Sequence, residues 1–94
     1  MERKCNFVKV DDRWIELGKY RHFKGKDYYV VDVVKDTTNS GEGKYKVLYR
    51  ALYDAENDDV SFGDFFCRDI DEFFSGVDFN KYPDATQDER FRKL

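Results

Sequence analysis

Residues 18–34, GKYRHFKGKDYYVVDVV, decide the fold of this chain. Residues 19–23 alternate between polar and apolar side chains, as a half-buried strand does. The stretch 24–27 predicts a tight turn, because Gly25 adopts positive φ without steric cost. Residues 28–35 are rich in β-branched and aromatic residues, and so dense an apolar run predicts burial on both faces for part of its length. Together these residues predict two antiparallel strands joined by a glycine turn.

Apolar runs elsewhere in the chain also favour strands. Residues 7–10 and 14–17 flank an Asp-Asp pair and predict an initial hairpin. After a polar loop over residues 36–43, the stretch 44–53 (KYKVLYRALY) returns as a second long strand. Residues 60–68 resume a strand beyond an acidic loop. The order of elements is therefore mainly β.

The last quarter of the sequence departs from this pattern. Asp69 and Glu72 have the spacing of a capping box, which predicts one short helical turn. The C-terminal tail leaves two alternatives open. Asp84 could begin a last helix, whereas residues 90–94 alternate like an edge strand.

A sheet of about five short strands leaves two exposed edges unless it closes on itself. We therefore expect residues 17–94 to form one small SH3-like barrel with a short helical turn before its last strand. Residues 1–16 are interpreted as an N-terminal extension, with a possible hairpin. A chain of 94 residues has room for only one core.

Charge divides the sequence into unlike halves. Residues 1–53 carry 12 basic and 8 acidic side chains, a net of +4, whereas residues 54–94 carry 5 and 12, a net of −7. A nucleic-acid-binding domain is usually basic overall, so contact with a polyanion must be local to the first half. The acidic half is interpreted mainly as a source of solubility.

The two cysteines, Cys5 and Cys67, are far apart and belong to no metal-binding motif. This favours free thiols in a reducing compartment over a disulfide scaffold. The N-terminus lacks the apolar region of a signal peptide, and no apolar run is long enough to span a bilayer. We expect a soluble cytoplasmic monomer that uses no cofactor and contacts no membrane.

Catalytic and metal sites are hard to build from this sequence. His22 is the only histidine, and the adjacent Arg21 and Lys24 disfavour its protonated form. If the protein were an enzyme, His22 and Cys67 would be the base and the nucleophile. An enzyme is nevertheless the weakest of the three function hypotheses considered below. Residues 54–59 lack the glycine and glutamate of a calcium loop, and residues 41–43 lack the context of a phosphate loop. We therefore expect no catalytic residue and no metal.

Several stretches resemble the bacterial domain of unknown function 1653 family. They are Gly18 to Gly25 (GKYRHFKG), Tyr28 to Val34, Tyr49 to Tyr53 (YRALY), Cys67 to Phe74, and the ending with Tyr82-Pro83 and Arg90-Phe91. The resemblance covers residues 17–94 and implies a small β domain in a bacterial cytoplasm. It implies no reaction.

The chain departs from the family pattern at two places. Residues 35–38 (KDTT) stand where the family often has an alanine, a histidine and an acidic residue. Phe66-Cys67 replaces the usual Trp-Val before the arginine, and Asp69 stands where proline is common.

A basic and aromatic surface is the candidate binding site. Phe23 is expected to point into the barrel, with Arg21 and Lys19 toward its rim. We expect Arg50 to be partly buried, paired either with an internal carboxylate or with an external anion. Tyr20, Tyr49 and Tyr53 could form an exposed row that stacks on a ligand, or they could pack in the core with their hydroxyls at the surface. With Lys19 nearby, the candidate ligand-binding residues are Tyr20, Arg21, His22, Lys24, Lys26, Tyr49, Arg50 and Tyr53.

The preferred hypothesis is a non-catalytic binding module. Its basic side chains would contact the anionic groups of a nucleic acid, a nucleotide or a peptide, and its tyrosines would stack. The alternative is a protein-interaction or accessory domain that uses the acidic half around residues 54–59. A small enzyme is the third hypothesis.

Overall fold

The computed structural model describes residues 1–39 and 44–94. Most of its regular structure is β. A single turn of 3-10 helix covers Glu56–Asp58, and one short helix, α1, covers Ile70–Phe73. The strands are β1 (Glu2–Lys4), β2 (Phe7–Val10), β3 (Arg13–Glu16), β4 (Gly18–His22), β5 (Asp27–Asp36), β6 (Lys44–Ala51), β7 (Phe65–Asp69) and β8 (Phe91–Lys93).

The strands form two antiparallel sheets. The first has the order β1-β2-β3, and the second has the order β7-β6-β5-β4-β8. The prediction of a mainly β fold is confirmed. The Arg68 side chain of the edge strand β7 reaches toward the other edge strand, β8, with its guanidinium 5.8 Å from the centre of the Phe91 ring. No pairing between them closes the sheet within residues 1–39 and 44–94, so the SH3-like barrel stays a prediction.

The hairpin of β4 and β5 is the centre of the larger sheet. Gly25 lies in its turn with φ +98°, a conformation that glycine adopts without strain. The ladder between β5 and β6 is irregular between Val30 and Asp32, so Val31 is an extra residue of a β-bulge. The bulge lets both Val30 and Val33 point inward while Val31 is exposed. Burial on both faces, expected for part of β5, is limited to residues 32–34, which are buried or half-buried in succession. Around Val31 the apolar run reflects a shift in alternation.

One core cluster lies under the larger sheet and α1. Phe73 of α1 is inaccessible to solvent, and its ring stacks on that of Phe91 with the two ring centres 4.1 Å apart. Burying one such ring stabilises the fold by about 1.5–3 kcal/mol. The buried members of this cluster are Tyr20, Val30, Val47, Tyr49, Phe73 and Phe91.

The N-terminal sheet packs on the opposite end of the same inner face. Val8, Val10 and Ile15 form a second buried cluster with Val33 of β5. Ile70 and Phe74 border both clusters, which joins the two halves of the core. Residues 7–16 form a hairpin, and β1, which the sequence did not predict, adds a third strand to it.

The structure corrects the expected cap of α1 and the expected start of β7, and it decides between the two alternatives for the C-terminal tail. The helical turn α1 exists, but the Asp69 side chain does not cap it and instead accepts a hydrogen bond from Lys46 Nζ at 2.8 Å. Strand β7 begins only at Phe65, since residues 61–64 form a turn. Of the two alternatives for the tail, the edge strand is found.

No helix among the described residues has the length and apolar character needed to cross a membrane. Part of the polar loop expected over residues 36–43, including the glycines at 41 and 43, lies outside the described residues.

Candidate functional site

A row of cations and aromatic rings crosses the outer face of the larger sheet. The strand register places Lys19 opposite Tyr29, Tyr29 opposite Arg50, and Arg50 opposite Phe65. All four side chains are exposed, Tyr29 by 47% and Phe65 by 58%. Directly paired residues on one face of a sheet have Cβ atoms about 4.5–5.5 Å apart. Lys19, Tyr29, Arg50 and Phe65 thus form a continuous row, called the outer row below.

The alternation of side chains along each strand produces this row. Tyr28 and Tyr49 point into the core, so their neighbours Tyr29 and Arg50 must point out. Phe66 packs against Tyr49 at 5.7 Å, which leaves Phe65 outside for the same reason. The outer row is therefore fixed by the packing of the inner face.

Two further cations lie beside the outer row. Arg21 and Arg92 are directly opposite each other on β4 and β8. Asp27 binds Arg21 through two hydrogen bonds of 2.8 and 3.2 Å and lies 3.6 Å from Lys19 Nζ. This pairing holds the pKa of Asp27 below its ordinary value, mainly through the Arg21 hydrogen bond. Asp27 therefore neutralises part of the positive charge at this end.

Arg50, in the middle of the face, forms no salt bridge within the described part of the chain. Within residues 1–39 and 44–94, no carboxylate lies within salt-bridge distance of its guanidinium. The expectation that Arg50 is half-buried is wrong, because the outward pleat of β6 exposes it. An exposed cation without an internal partner is available to an external anion.

Gly63 and Phe65 lie beside the guanidinium of Arg50. The group lies 5.1 Å from the centre of the Phe65 ring, within range of a cation–π interaction. A Cβ atom at Gly63 would come within 2.7 Å of Arg50 Nη2. The absence of a side chain at Gly63 thus leaves the space that the guanidinium occupies.

Tyr20 and Tyr49 belong to the core, so the exposed row of tyrosines that the sequence allowed is not formed. Both side chains are only 4% exposed. The Tyr20 hydroxyl donates to the Glu16 carbonyl at 2.7 Å. Burial, reinforced by the nearby Glu16 charge, raises the pKa of Tyr20 to about 12. Neither ring can stack on a ligand without opening the core.

His22 faces the inner side of the sheet, opposite to Arg21. Its ring packs edge-on against Phe91 at 4.9 Å, and its Nδ1 accepts a hydrogen bond from the Lys24 backbone N–H at 3.1 Å. Burial lowers the pKa of His22 to about 4, and the charges of Arg68, Arg90 and Lys24 contribute to this lowering. The imidazole is therefore neutral at pH 7, and an accepting Nδ1 leaves the proton on Nε2.

Lys24 and Lys26 extend from the turn between β4 and β5 and lie over aromatic rings. Lys24 Nζ is 5.1 Å from the centre of Tyr82, and Lys26 Nζ is 5.2 Å from the centre of Tyr53. The Tyr53 hydroxyl in turn shares a 2.6 Å hydrogen bond with the Tyr28 hydroxyl. Burial and this contact raise the pKa of Tyr28 above its ordinary value. These side chains border the inner face and are not part of the outer row.

His22 and Cys67 do not face each other. His22 points inward, whereas Cys67 alternates with the inward Phe66 and Arg68 and is exposed. Catalysis by this pair would need a rearrangement of β7. Among the described residues, no three metal-ligating side chains come together.

A cleft lies between the hairpin turn of the N-terminal sheet and α1. It has a volume of about 730 Å³, and carboxylates such as Asp11, Asp71 and Glu72 line it. Arg13 forms a long ion pair at this cleft, with its Nη1 3.8 Å from Asp71 Oδ1. The acidic loop at residues 54–59 is a separate feature, in which Asp54 accepts a hydrogen bond from the Phe62 backbone N–H.

The sequence indicated Arg21 and Arg50 but not the two exposed rings of this face. Tyr29 belongs to a strand that was predicted to be buried on both faces for part of its length, and Phe65 lies within residues 60–68, which were predicted only as a strand. The strand register was the signal that could have found them. Given Arg50 on the outside, its partners on both neighbouring strands must also face out.

A family model described as a protein of unknown function (DUF1653) matches residues 18–93. No curated protein and no solved structure matches the chain.

Proposed function

The chain belongs to the DUF1653 family of proteins of unknown function, and we propose that its domain is a non-catalytic module that binds an anionic ligand on the outer face of the larger sheet. The observation that carries this proposal is the outer row, in which exposed cations and exposed rings alternate across four strands. Such a row contacts negative groups and flat groups at the same time. Nucleotides and nucleic acids combine the two.

The charge distribution supports this location. The protein has a net charge of −3, yet Lys19, Arg21, Arg50 and Arg92 share one face. Asp27 and Glu89 pair with three of these cations, whereas Arg50 has no carboxylate within salt-bridge distance among residues 1–39 and 44–94. Contacts with phosphate would give an affinity that falls steeply as the salt concentration rises.

The proposed site replaces part of the one expected from the sequence. Tyr29 and Phe65 take over the stacking role that the buried Tyr20 and Tyr49 cannot fill. His22, Lys24, Lys26 and Tyr53 border the inner face and are not part of the proposed site. A protein-interaction role for the acidic half is the alternative outcome.

A two-dimensional NMR titration tests the proposal. Labelled protein is titrated at low and high salt with uridine monophosphate, a short oligouridylate, a phosphotyrosine peptide and a proline-rich peptide. We expect salt-sensitive shifts in the backbone amides of the outer row with at least one phosphate-bearing probe. Shifts confined to residues 54–59, or no shift with any anionic probe, would overturn the proposal.

Arg50→Ala is the decisive variant, and Arg13→Ala is its matched control. Arg13 is also an exposed arginine over a phenylalanine ring, with its guanidinium 5.6 Å from Phe74, but it lies on the N-terminal sheet. Binding should weaken strongly with Arg50→Ala and stay unchanged with Arg13→Ala. Equal losses from both variants would mean that the ligand senses only overall charge.

We place this activity in a monomer in a bacterial cytoplasm, as the sequence analysis expected. Both cysteines are free and exposed, which suits a reducing compartment.

A further inference from the structure

Resting on the proposed function, we infer that the ligand of the outer face is single-stranded nucleic acid, with one base on Tyr29, another on Phe65 and the backbone crossing the strands past Arg50. Each ring is exposed on the same face, and Arg50 lies between them in the register. Aromatic side chains on a sheet surface are the usual stacking platforms for unpaired bases.

The spacing of the two rings selects an unstacked chain. Tyr29 and Phe65 lie on strands separated by β6, and two strand spacings amount to about 10 Å. Successive bases in a stacked helix are only about 3.4 Å apart. Two neighbouring bases that occupy both rings must therefore be pulled apart, which a single strand permits and a duplex does not.

Arg50 is placed to contact the phosphate between those two bases. Its guanidinium lies over the Phe65 ring, in the space left by Gly63, and has no carboxylate partner in the described part of the chain. The guanidinium covers one side of Phe65, yet the residue remains 58% exposed, so its other side is open to a base.

Lys19 and Arg21 provide positive charge beyond Tyr29, at the β4 end of the outer face. Both are held by Asp27 on the outer face. The outer row spans three strand spacings, about 14 Å, which leaves room for roughly two to three nucleotides when neighbouring bases lie about 10 Å apart. We therefore expect affinity to rise with length up to about three nucleotides and to level off beyond that.

Other occupants fit these features less well. A mononucleotide can use only one ring together with Arg50. A duplex presents phosphates and groove edges but hides the faces of its bases, so both rings would lose their contacts. A phosphotyrosine peptide supplies one ring and one phosphate and leaves the second exposed ring unused.

Fluorescence anisotropy with uridine oligonucleotides of increasing length tests the inference, with uridine monophosphate and a short RNA duplex as competitors. The variants are Tyr29→Ala and Phe65→Ala. Trp14→Ala, which removes an exposed ring from the N-terminal sheet, is the control. Each loss of a stacking ring should weaken binding of the longer oligonucleotides by roughly 5- to 150-fold. Trp14→Ala should have no effect.

The outcomes separate this inference from the proposed function. If the monophosphate or the duplex competes as well as the oligonucleotide, or if both ring variants bind normally while Arg50→Ala does not, the outer face binds anions and the single-strand inference is overturned. Binding of the phosphotyrosine peptide without binding of any oligonucleotide overturns the single-strand inference in the same way. If no anionic probe binds, the proposed function fails as well.

Discussion

On the inner face of the larger sheet Tyr49 is 4% exposed and Phe73 is inaccessible, whereas on the outer face Tyr29 and Phe65 are among the most exposed rings of the protein. Both faces combine aromatic rings with arginines. On the inner face Arg68 is engaged, by Glu72 at 2.9 Å and by the Tyr49 hydroxyl at 3.4 Å. On the outer face Arg50 lies beside the Phe65 ring and Gly63, and no carboxylate among residues 1–39 and 44–94 is within salt-bridge distance of its guanidinium. The same residue types thus build a core on one side and an open surface on the other.

The largest expected effect tests this contrast by removing one ring from each face. Phe73→Ala deletes a ring that contacts Tyr20, Tyr49 and Phe91, and should lower the free energy of unfolding by about 3–5 kcal/mol. Phe65→Ala removes an exposed ring and should change it by no more than about 0.5 kcal/mol. Urea denaturation of both variants provides the measurement. Similar losses would show that the outer ring is part of the fold rather than a surface free for binding.

A glycine substitution tests whether the position of Arg50 matters. Gly63→Ala places a side chain at φ +90° and 2.7 Å from Arg50 Nη2, so it adds backbone strain of about 1–2 kcal/mol and displaces the guanidinium. Gly25→Ala is the matched control, since φ is +98° there but no atom lies within 4 Å of the new Cβ.

The two glycine variants should lose similar amounts of thermal stability, and only Gly63→Ala should lose oligonucleotide affinity. Thermal unfolding and anisotropy measure the two properties separately. If Gly25→Ala weakens binding as much as Gly63→Ala, strain rather than the placement of Arg50 is responsible.

The inner face should make stability depend on pH through His22, the only histidine. Its pKa is about 4 in the folded protein and 6.5 ordinarily, so the unfolded chain takes up a proton first as the pH falls. The contribution of His22 to the free energy of unfolding is fully present above pH 6.5 and is lost as the pH falls from 6.5 to 4. Since the ring is partly exposed, the loss should be about 1–2 kcal/mol.

Denaturation at a series of pH values measures this slope, and an NMR titration of the imidazole measures the pKa directly. His22→Gln removes the titrating group and should flatten the slope above about pH 5. The carboxylates with lowered pKa values, among them Asp27 and Asp69, lose their contributions only at lower pH. An imidazole that titrates near its ordinary pKa of 6.5 in the folded protein would contradict the expectation.

The sequence allowed the hairpin of β4 and β5 to be predicted because its signals are local. Gly25 marks the turn, and β-branched and aromatic residues mark the strand that follows. The edge strand β8 could only be given as one of two alternatives, because its pairing with β4 joins residues about 70 positions apart. The bulge at Val31 also depends on the partner strand and leaves no local signal.

The two faces of β4 could not be told apart from the sequence for a similar reason. Phe23 was expected to point into the core with Lys19 and Arg21 toward its rim, while the tyrosines were left either on the surface or in the core. In the structure β4 ends at His22, so Phe23 lies beyond the strand and no longer obeys its alternation. A shift of one residue moves every side chain to the other face. The cations of the site were therefore predictable from composition, whereas its rings were not.

The smallest expected effect concerns the ion pairs of the outer face. Asp27→Asn removes the carboxylate that holds Lys19 and Arg21, and because those pairs are largely exposed the free energy of unfolding should fall by at most about 1 kcal/mol. Binding should change in the opposite direction, because two cations are released beside the outer row. Oligonucleotide affinity should rise, and its dependence on salt should become steeper. Glu72→Gln, which releases Arg68 on the inner side, should leave both properties of binding unchanged. A gain from Glu72→Gln equal to that from Asp27→Asn would mean that the ligand responds to net charge, and the distinction between the two faces would be lost.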